Sequence, residues 1–162
     1  AKKNLGGGVL LTQIHELDYL YFIFQNYKFK ILNSISYKIS DLNIDVDDLF
    51  VGNLIIKKNK NKIICNIRSN YFERPKTRII KIIGSKGKIE ADLNKKIMIT
   101  SIGKKVTTKK FTYSRNEVFL KEIKYFLNFI KKNKQIEKFY NVNNGIKSLN
   151  LAIQFKKKSI KK

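Results

Sequence analysis

The feature that most constrains this chain lies between residues 28 and 113. There, short apolar-patterned segments follow one another, most joined by tight turns and the first two by an acidic loop at 41–48. Phe29, Ile31, Ile35, Tyr37 and Ile39 alternate with mostly polar neighbours, the pattern of a half-buried strand. Residues 49–56 form a second strand, apolar on both faces, and the lysine-asparagine turn at 57–62 closes a hairpin. Ile63, Cys65 and Ile67 point one way along a third strand that runs to Phe72. After Glu73-Arg74-Pro75 four more strands follow, at 78–83, 89–93, 97–102 and 106–113, with turns at 84–87, 94–96 and 103–104. Connections this short cannot carry the crossover of a parallel pair, so the seven strands pair mainly antiparallel.

Helical patterns bracket the strands. From Val9 to Gln25, Leu10, Leu11, Ile14, Leu17 and Tyr21 recur at three- and four-residue steps and make one apolar face. Ser114 with Glu117 has capping-box spacing and opens a helix on which Phe119, Ile123, Phe126, Leu127 and Ile130 share a face. A last helix from about Asn143 is expected to bury Ile146, Leu149, Ala152 and Ile153. The expectation is an α+β fold: an open, mostly antiparallel sheet of about seven strands with helices packed on one face. The doubly apolar strand at 49–56 predicts that the other face is covered too, by a second copy or by another domain.

At 162 residues the chain has the length of a single domain, 1–162, with enough apolar material for a core. Its longest strongly apolar stretch, residues 17–24, is too short to cross a bilayer and contains Asp18. Cys65 is the only cysteine, so an internal disulfide and a thiolate metal cluster are both excluded, and the cytoplasm is the expected location. The formal charge is +23, from 35 basic against 12 acidic residues, which raises a polyanion as partner. Two features argue against nucleic acid. Only Arg68, Arg74, Arg78 and Arg115 supply the forked donors that such surfaces favour, and the lysines are spread over every segment.

The chemistry-bearing segment is residues 6–20, GGGVLLTQIHELDYL. His15 is the only histidine. On one continuous helix, Thr12, His15, Asp18 and Tyr19 would form a polar stripe opposite the apolar face, and an imidazole there suits proton transfer near neutral pH. A histidine that merely bonds a neighbouring strand is the other reading. Arg74 and Arg78 follow a strand end, where they could reach substrate hydroxyls or a carboxylate, or simply be solvated. Asp41, Asn43 and Asp45 imitate a calcium loop. Val46 stands where its glycine is required and Gly52 where its glutamate is, so Asp45, Asp47 and Asp48 are expected to solvate a loop and no metal is expected. Cys65 alternates with Ile63 and Ile67 and reads as a core residue.

Residues 6–20 resemble the glycine-rich segment that opens the C-terminal domain of the glucose–fructose oxidoreductase / inositol dehydrogenase / MocA family. Further features resemble that family in the same order: SDLNIDVDD at 40–48, NYFERP at 70–75, IIGSKGKI at 82–89, and the helices at 116–129 and 145–159. The resemblance runs from Leu5 to Ser159, and the order of the motifs carries it. It implies a substrate-binding and dimerisation domain of an enzyme that moves a hydride between NAD or NADP and a sugar, nucleotide-sugar or cyclitol carbon. It also implies His15 as acid/base helper in the substrate site, with Thr12, Tyr19, Arg74 and Arg78 around the substrate. Thr12 departs from the family, which often has aspartate there, and a hydroxyl cannot tune His15 as a carboxylate would. The family's N-terminal Rossmann domain, with its Glu-Lys-Pro lysine, has no counterpart in this sequence. Gly6-Gly7-Gly8 is not a dinucleotide fingerprint, since its spacing is wrong and no strand precedes it. A fragment or split enzyme, inactive alone and paired with a Rossmann domain or subunit, is therefore expected. The alternatives are a non-catalytic assembly domain of the same fold and a basic polyanion-binding module.

Overall fold

The computed structural model describes residues 2–132 and 142–160. A 3-10 turn at Lys3–Leu5 leads to helices α1 (Val9–Thr12) and α2 (His15–Ile23), then strands β1 (Lys28–Tyr37), β2 (Leu49–Lys58) and β3 (Asn61–Asn70). Strands β4 (Ile79–Gly84), β5 (Gly87–Asp92), β6 (Ile97–Ile102) and β7 (Lys105–Lys110) follow, with helices α3 (Arg115–Lys131) and α4 (Val142–Lys158) last. The class is α+β with seven strands, all antiparallel to their neighbours, as the short connections led one to expect. They divide into a three-stranded sheet, β1-β2-β3, and a four-stranded sheet, β4-β5-β6-β7. The chain forms two compact units, one of Ala1–Phe72 with Ile136–Lys162, the other of Glu73–Gln135.

In the first unit, helices cover one face of the three-stranded sheet. Alternate residues of β2, Phe50, Leu54 and Ile56, are buried with Ile31 and Ile67 against Val9, Leu10, Leu17, Leu151, Ala152 and Phe155. Leu11, Ile14 and Tyr21 pack around this core, so the expected face of the first helical segment is the one used. Cys65 also packs against it, and burial pushes its thiol pKa up. Gly52 lies opposite the Phe50 and Phe155 rings, where an added Cβ would come within 2.6 Å of one and 2.8 Å of the other. The rings meet edge to face, 5.3 Å apart at 80°.

The other face of this sheet carries a polar row across all three strands. Asn53 Nδ2 donates to Asn33 Oδ1 at 2.7 Å, and Asn66 Nδ2 donates to Asn53 Oδ1. Apolar side chains flank that row, Ile64 among them at 61% exposed.

Three local readings need correction. The helical pattern from Val9 is not one helix: it breaks at Gln13 and Ile14, between α1 and α2. The last helix turns a different face to the core than its apolar spacing suggested. Ser148, Leu151, Ala152 and Phe155 are buried, whereas Ile146, Leu149 and Ile153 are exposed. Ser148 is held inside because its hydroxyl donates to Asp18 Oδ1 of α2 at 2.8 Å. The aspartate loop is not simply solvated either. Asp47 accepts the Val9 N–H, and Asp48 is fully buried among donors.

In the second unit, the predicted capping box is present, with Ser114 Oγ accepting the Glu117 N–H at 3.1 Å and Glu117 Oε2 accepting the Ser114 N–H at 2.6 Å. The apolar face of α3 is exposed, Ile123 by 56% and Phe126 by 51%. None of the residues in β4–β7 or α3 is fully buried.

Candidate functional site

The site is built on the break between α1 and α2. Gly8 begins it with φ 127°, in a position where a Cβ would lie 2.6 Å from an Asp47 carboxylate oxygen. That close approach lets Asp47 fix the start of α1 through the Val9 N–H, by its main-chain oxygen at 3.1 Å and its carboxylate at 3.2 Å. One turn later Thr12 Oγ1 donates back to the Gly8 carbonyl at 3.0 Å. The turn then closes through Glu16 N–H to Gln13 O and Leu17 N–H to Ile14 O, each 3.0 Å. His15 thus stands at the first position of α2.

Thr12 also receives a hydrogen bond from the Tyr71 hydroxyl at 2.6 Å. Its own proton is spent on Gly8, so its oxygen serves as acceptor and orients the phenol just beyond β3. Gln13 Nε2 donates to Asn70 O at 3.3 Å, tying the same strand end to the helix break. His15 Nε2 lies 3.2 Å from Glu16 Oε1, and its ring meets Tyr19 edge-on with centroids 6.3 Å apart. The imidazole is 46% exposed. Asp18 has turned away to Ser148, so the expected four-residue stripe separates into a Thr12–Tyr71 pair and a His15–Glu16–Tyr19 group.

Arg74 and Arg78 lie in the second unit. Arg74 Nη1 donates to the Glu73 carbonyl at 2.8 Å, and the Arg78 carbonyl accepts the Leu93 N–H at 2.9 Å. Tyr71, Gln13 and Glu16 were not singled out as site residues from sequence. Tyr71 had one available signal, a hydroxyl-bearing aromatic at a strand end in the NYFERP segment.

Behind the site, Asp48 is the electrostatic anchor. Burial pushes its carboxyl pKa up, but the Ser40 hydroxyl, the Ile39 and Ser40 amides and Lys38 together hold it below the usual carboxylate range. The Ile39 N–H reaches it at 2.8 Å and Lys38 Nζ at 3.3 Å. Its main chain joins β1 to β3, donating to Tyr37 O at 2.9 Å and accepting the Tyr71 N–H at 3.0 Å. The same residue therefore stabilises the loop and places the backbone of Tyr71.

Among the described residues no group of three or more His, Cys, Asp or Glu side chains is arranged to hold a metal. The strands pair antiparallel, and Gly6-Gly7-Gly8 follows a 3-10 turn where a phosphate-binding crossover would require a strand. No described helix is long and apolar enough to cross a membrane.

Neither a family model nor a curated protein matches the chain. Solved structures do. A UDP-N-acetylglucosamine 3-dehydrogenase from Acidithiobacillus ferrooxidans is similar at TM-score 0.74 and 16% identity, over 90% of this chain and 45% of that one. A dehydrogenase from Clostridium difficile is similar at TM-score 0.70 and 17% identity, over 90% and 46%. A biliverdin reductase from Synechocystis, solved with biliverdin and NADP+, is similar at TM-score 0.68 and 12% identity, over 93% and 46%. The chain spans less than half the length of each. At these identities the likeness is one of fold, shared with part of each of those proteins.

Proposed function

We propose that this chain is the substrate-binding and subunit-pairing domain of an NAD(P)-dependent oxidoreductase acting on a sugar, nucleotide-sugar or cyclitol hydroxyl. The observation that carries the proposal is the extent of the structural likeness: some nine-tenths of this chain against less than half of each oxidoreductase. The two compact units are then parts of one domain. The nicotinamide is held by a Rossmann domain or subunit supplied elsewhere, and the chain is inactive without it. The asparagine-crossed sheet face serves as the pairing surface between copies, and the single thiol fits a cytoplasmic setting.

In this reading His15 holds and moves the proton of the reacting hydroxyl. Its exposure and its place at the start of α2 support that role. Tyr19 packs beside the ring, and Thr12 with Tyr71 presents a hydroxyl pair to the sugar. The test is a pH–rate profile of the chain joined to a nucleotide-binding half. Replacing His15 with alanine should lower kcat by about 10²–10⁴-fold and flatten the limb near neutral pH. A His15→Ala enzyme with parental kcat and profile would remove the histidine from the chemistry.

A further inference from the structure

The first unit contains a half-open pocket of about 250 Å³, apart from the His15 group. Ser36 of β1, Lys3, Lys38, Asp45, Asp47 and Lys156 of α4 supply its polar lining. Ser36 is only 6% exposed, and its hydroxyl has no hydrogen-bond partner among the described residues. Buried hydroxyls ordinarily have a hydrogen-bond partner, so this one points to a polar occupant of the space beside it. The volume exceeds what one water takes, roughly 30 Å³ in the liquid, several times over.

The electrostatics select the sign of that occupant. Each carboxylate accepts a main-chain hydrogen bond. Asp45 Oδ1 accepts the Lys3 main-chain N–H at 2.9 Å, while Asp47 accepts the Val9 N–H at 3.2 Å and lies 3.9 Å from Lys156 Nζ. The ammonium groups keep capacity, since each carries three donors. Lys156 spends hers on Gly7 O at 3.3 Å and on Asp47, and its side chain is 27% exposed. Lys38, bonded to Asp48 and to the Ser40 carbonyl, is 33% exposed, and Lys3 brings a third cation. The lining carries three ammonium groups against two carboxylates, beside the unsatisfied Ser36 hydroxyl.

We propose that this cavity is a binding site for a small oxyanion, a phosphate or carboxylate group, held by the Ser36 hydroxyl and the Lys38 and Lys156 ammonium groups. The inference is independent of the oxidoreductase reading. An occupant would also bear on the site described above, because Gly7 lines the cavity and Thr12 bonds to its neighbour Gly8.

The test is calorimetric titration of the 162-residue chain with inorganic phosphate in one arm and acetate in the other. Net charge +23 makes diffuse adsorption the rival, so a Lys104→Gln/Lys105→Gln pair, in the exposed β6–β7 turn and at the start of β7, is the control. The proposal expects one-to-one saturable binding in at least one arm, and the arm that saturates identifies the group. Ser36→Ala and Lys156→Gln, each shown folded by circular dichroism, should weaken binding about ten- to a hundredfold, while the control pair binds as the parent does. Ser36→Ala removes only the orphaned hydroxyl and so keeps the test open if Lys156→Gln fails to fold. Failure to saturate in both arms would overturn the proposal, leaving water as the occupant. Equal weakening in the control pair, or parental binding by Ser36→Ala, would overturn it in favour of adsorption.

Discussion

Phe155→Ala should cost the first unit about 3–5 kcal/mol, whereas Ile153→Ala, two residues earlier on the same helix, should cost under about 1 kcal/mol. Phe155 is fully buried, with its ring edge-on to Phe50 and against the α-carbon of Gly52, so truncation leaves a cavity that β2 has no side chain to fill. Ile153 is 38% exposed and gives up far less contact. Domains are stable by only about 5–15 kcal/mol, so the first substitution removes a large share and the second very little. The reporter is Cys65, the only thiol, which packs against this core and becomes reactive when the unit opens. Urea titration of its labelling by a thiol reagent follows the first unit without interference from the second. Equal or greater destabilisation by Ile153→Ala would show that α4 turns its isoleucine face inward, and would refute the packing described.

Three further outcomes follow from the structure. Asp48→Asn removes the charge that four donors were arranged around and should cost about 2 kcal/mol, measured as a lowered urea midpoint. Because the folded carboxyl pKa is depressed, its stabilisation is present above the unfolded value of about 3.9 and is lost as pH falls through the folded one. The parent should therefore lose stability below about pH 4, with a shallower loss in Asp48→Asn. Gly52→Ala forces a methyl into two aromatic rings and should destabilise by about 1–3 kcal/mol in the same assay. Tyr71→Phe should leave the urea midpoint within about 1 kcal/mol of the parent, while raising KM in the joined enzyme, since the hydroxyl it deletes is partly solvated and bonds Thr12 in the first unit's site.

The strands were legible because two independent signals agreed, period-two alternation and turns able to take positive φ. Asn59 at φ 54° and Lys96 at φ 57° sit where the sequence placed turns. The capping box at Ser114 was legible for the same reason, a local rule with a local partner. The register of α4 was not. Residues 146, 149 and 153 and residues 148, 151, 152 and 155 both satisfy helical spacing, and the more apolar stripe lies outside. What decided between them was distant in sequence: Asp18 receiving the Ser148 hydroxyl, and Gly52 leaving room for Phe155. The break at Gln13 and Ile14 had no glycine or proline to announce it. It depends on Thr12 bonding Gly8 and Gln13 bonding Asn70, contacts that exist only after β3 is in place. For the same reason His15 was visible as a lone imidazole, while Tyr71, 59 residues from Thr12, was not.

The measurement that tests the central claim most directly is reconstitution. The chain and a Rossmann half from one of the structurally similar oxidoreductases are expressed separately. NAD(P)H absorbance is then followed for each alone and for the two together against sugars, nucleotide-sugars and inositols. The account predicts no turnover by either part, turnover by the pair, and its collapse when the chain carries His15→Ala. Turnover by the chain alone, or a pair whose rate is indifferent to His15, would contradict it.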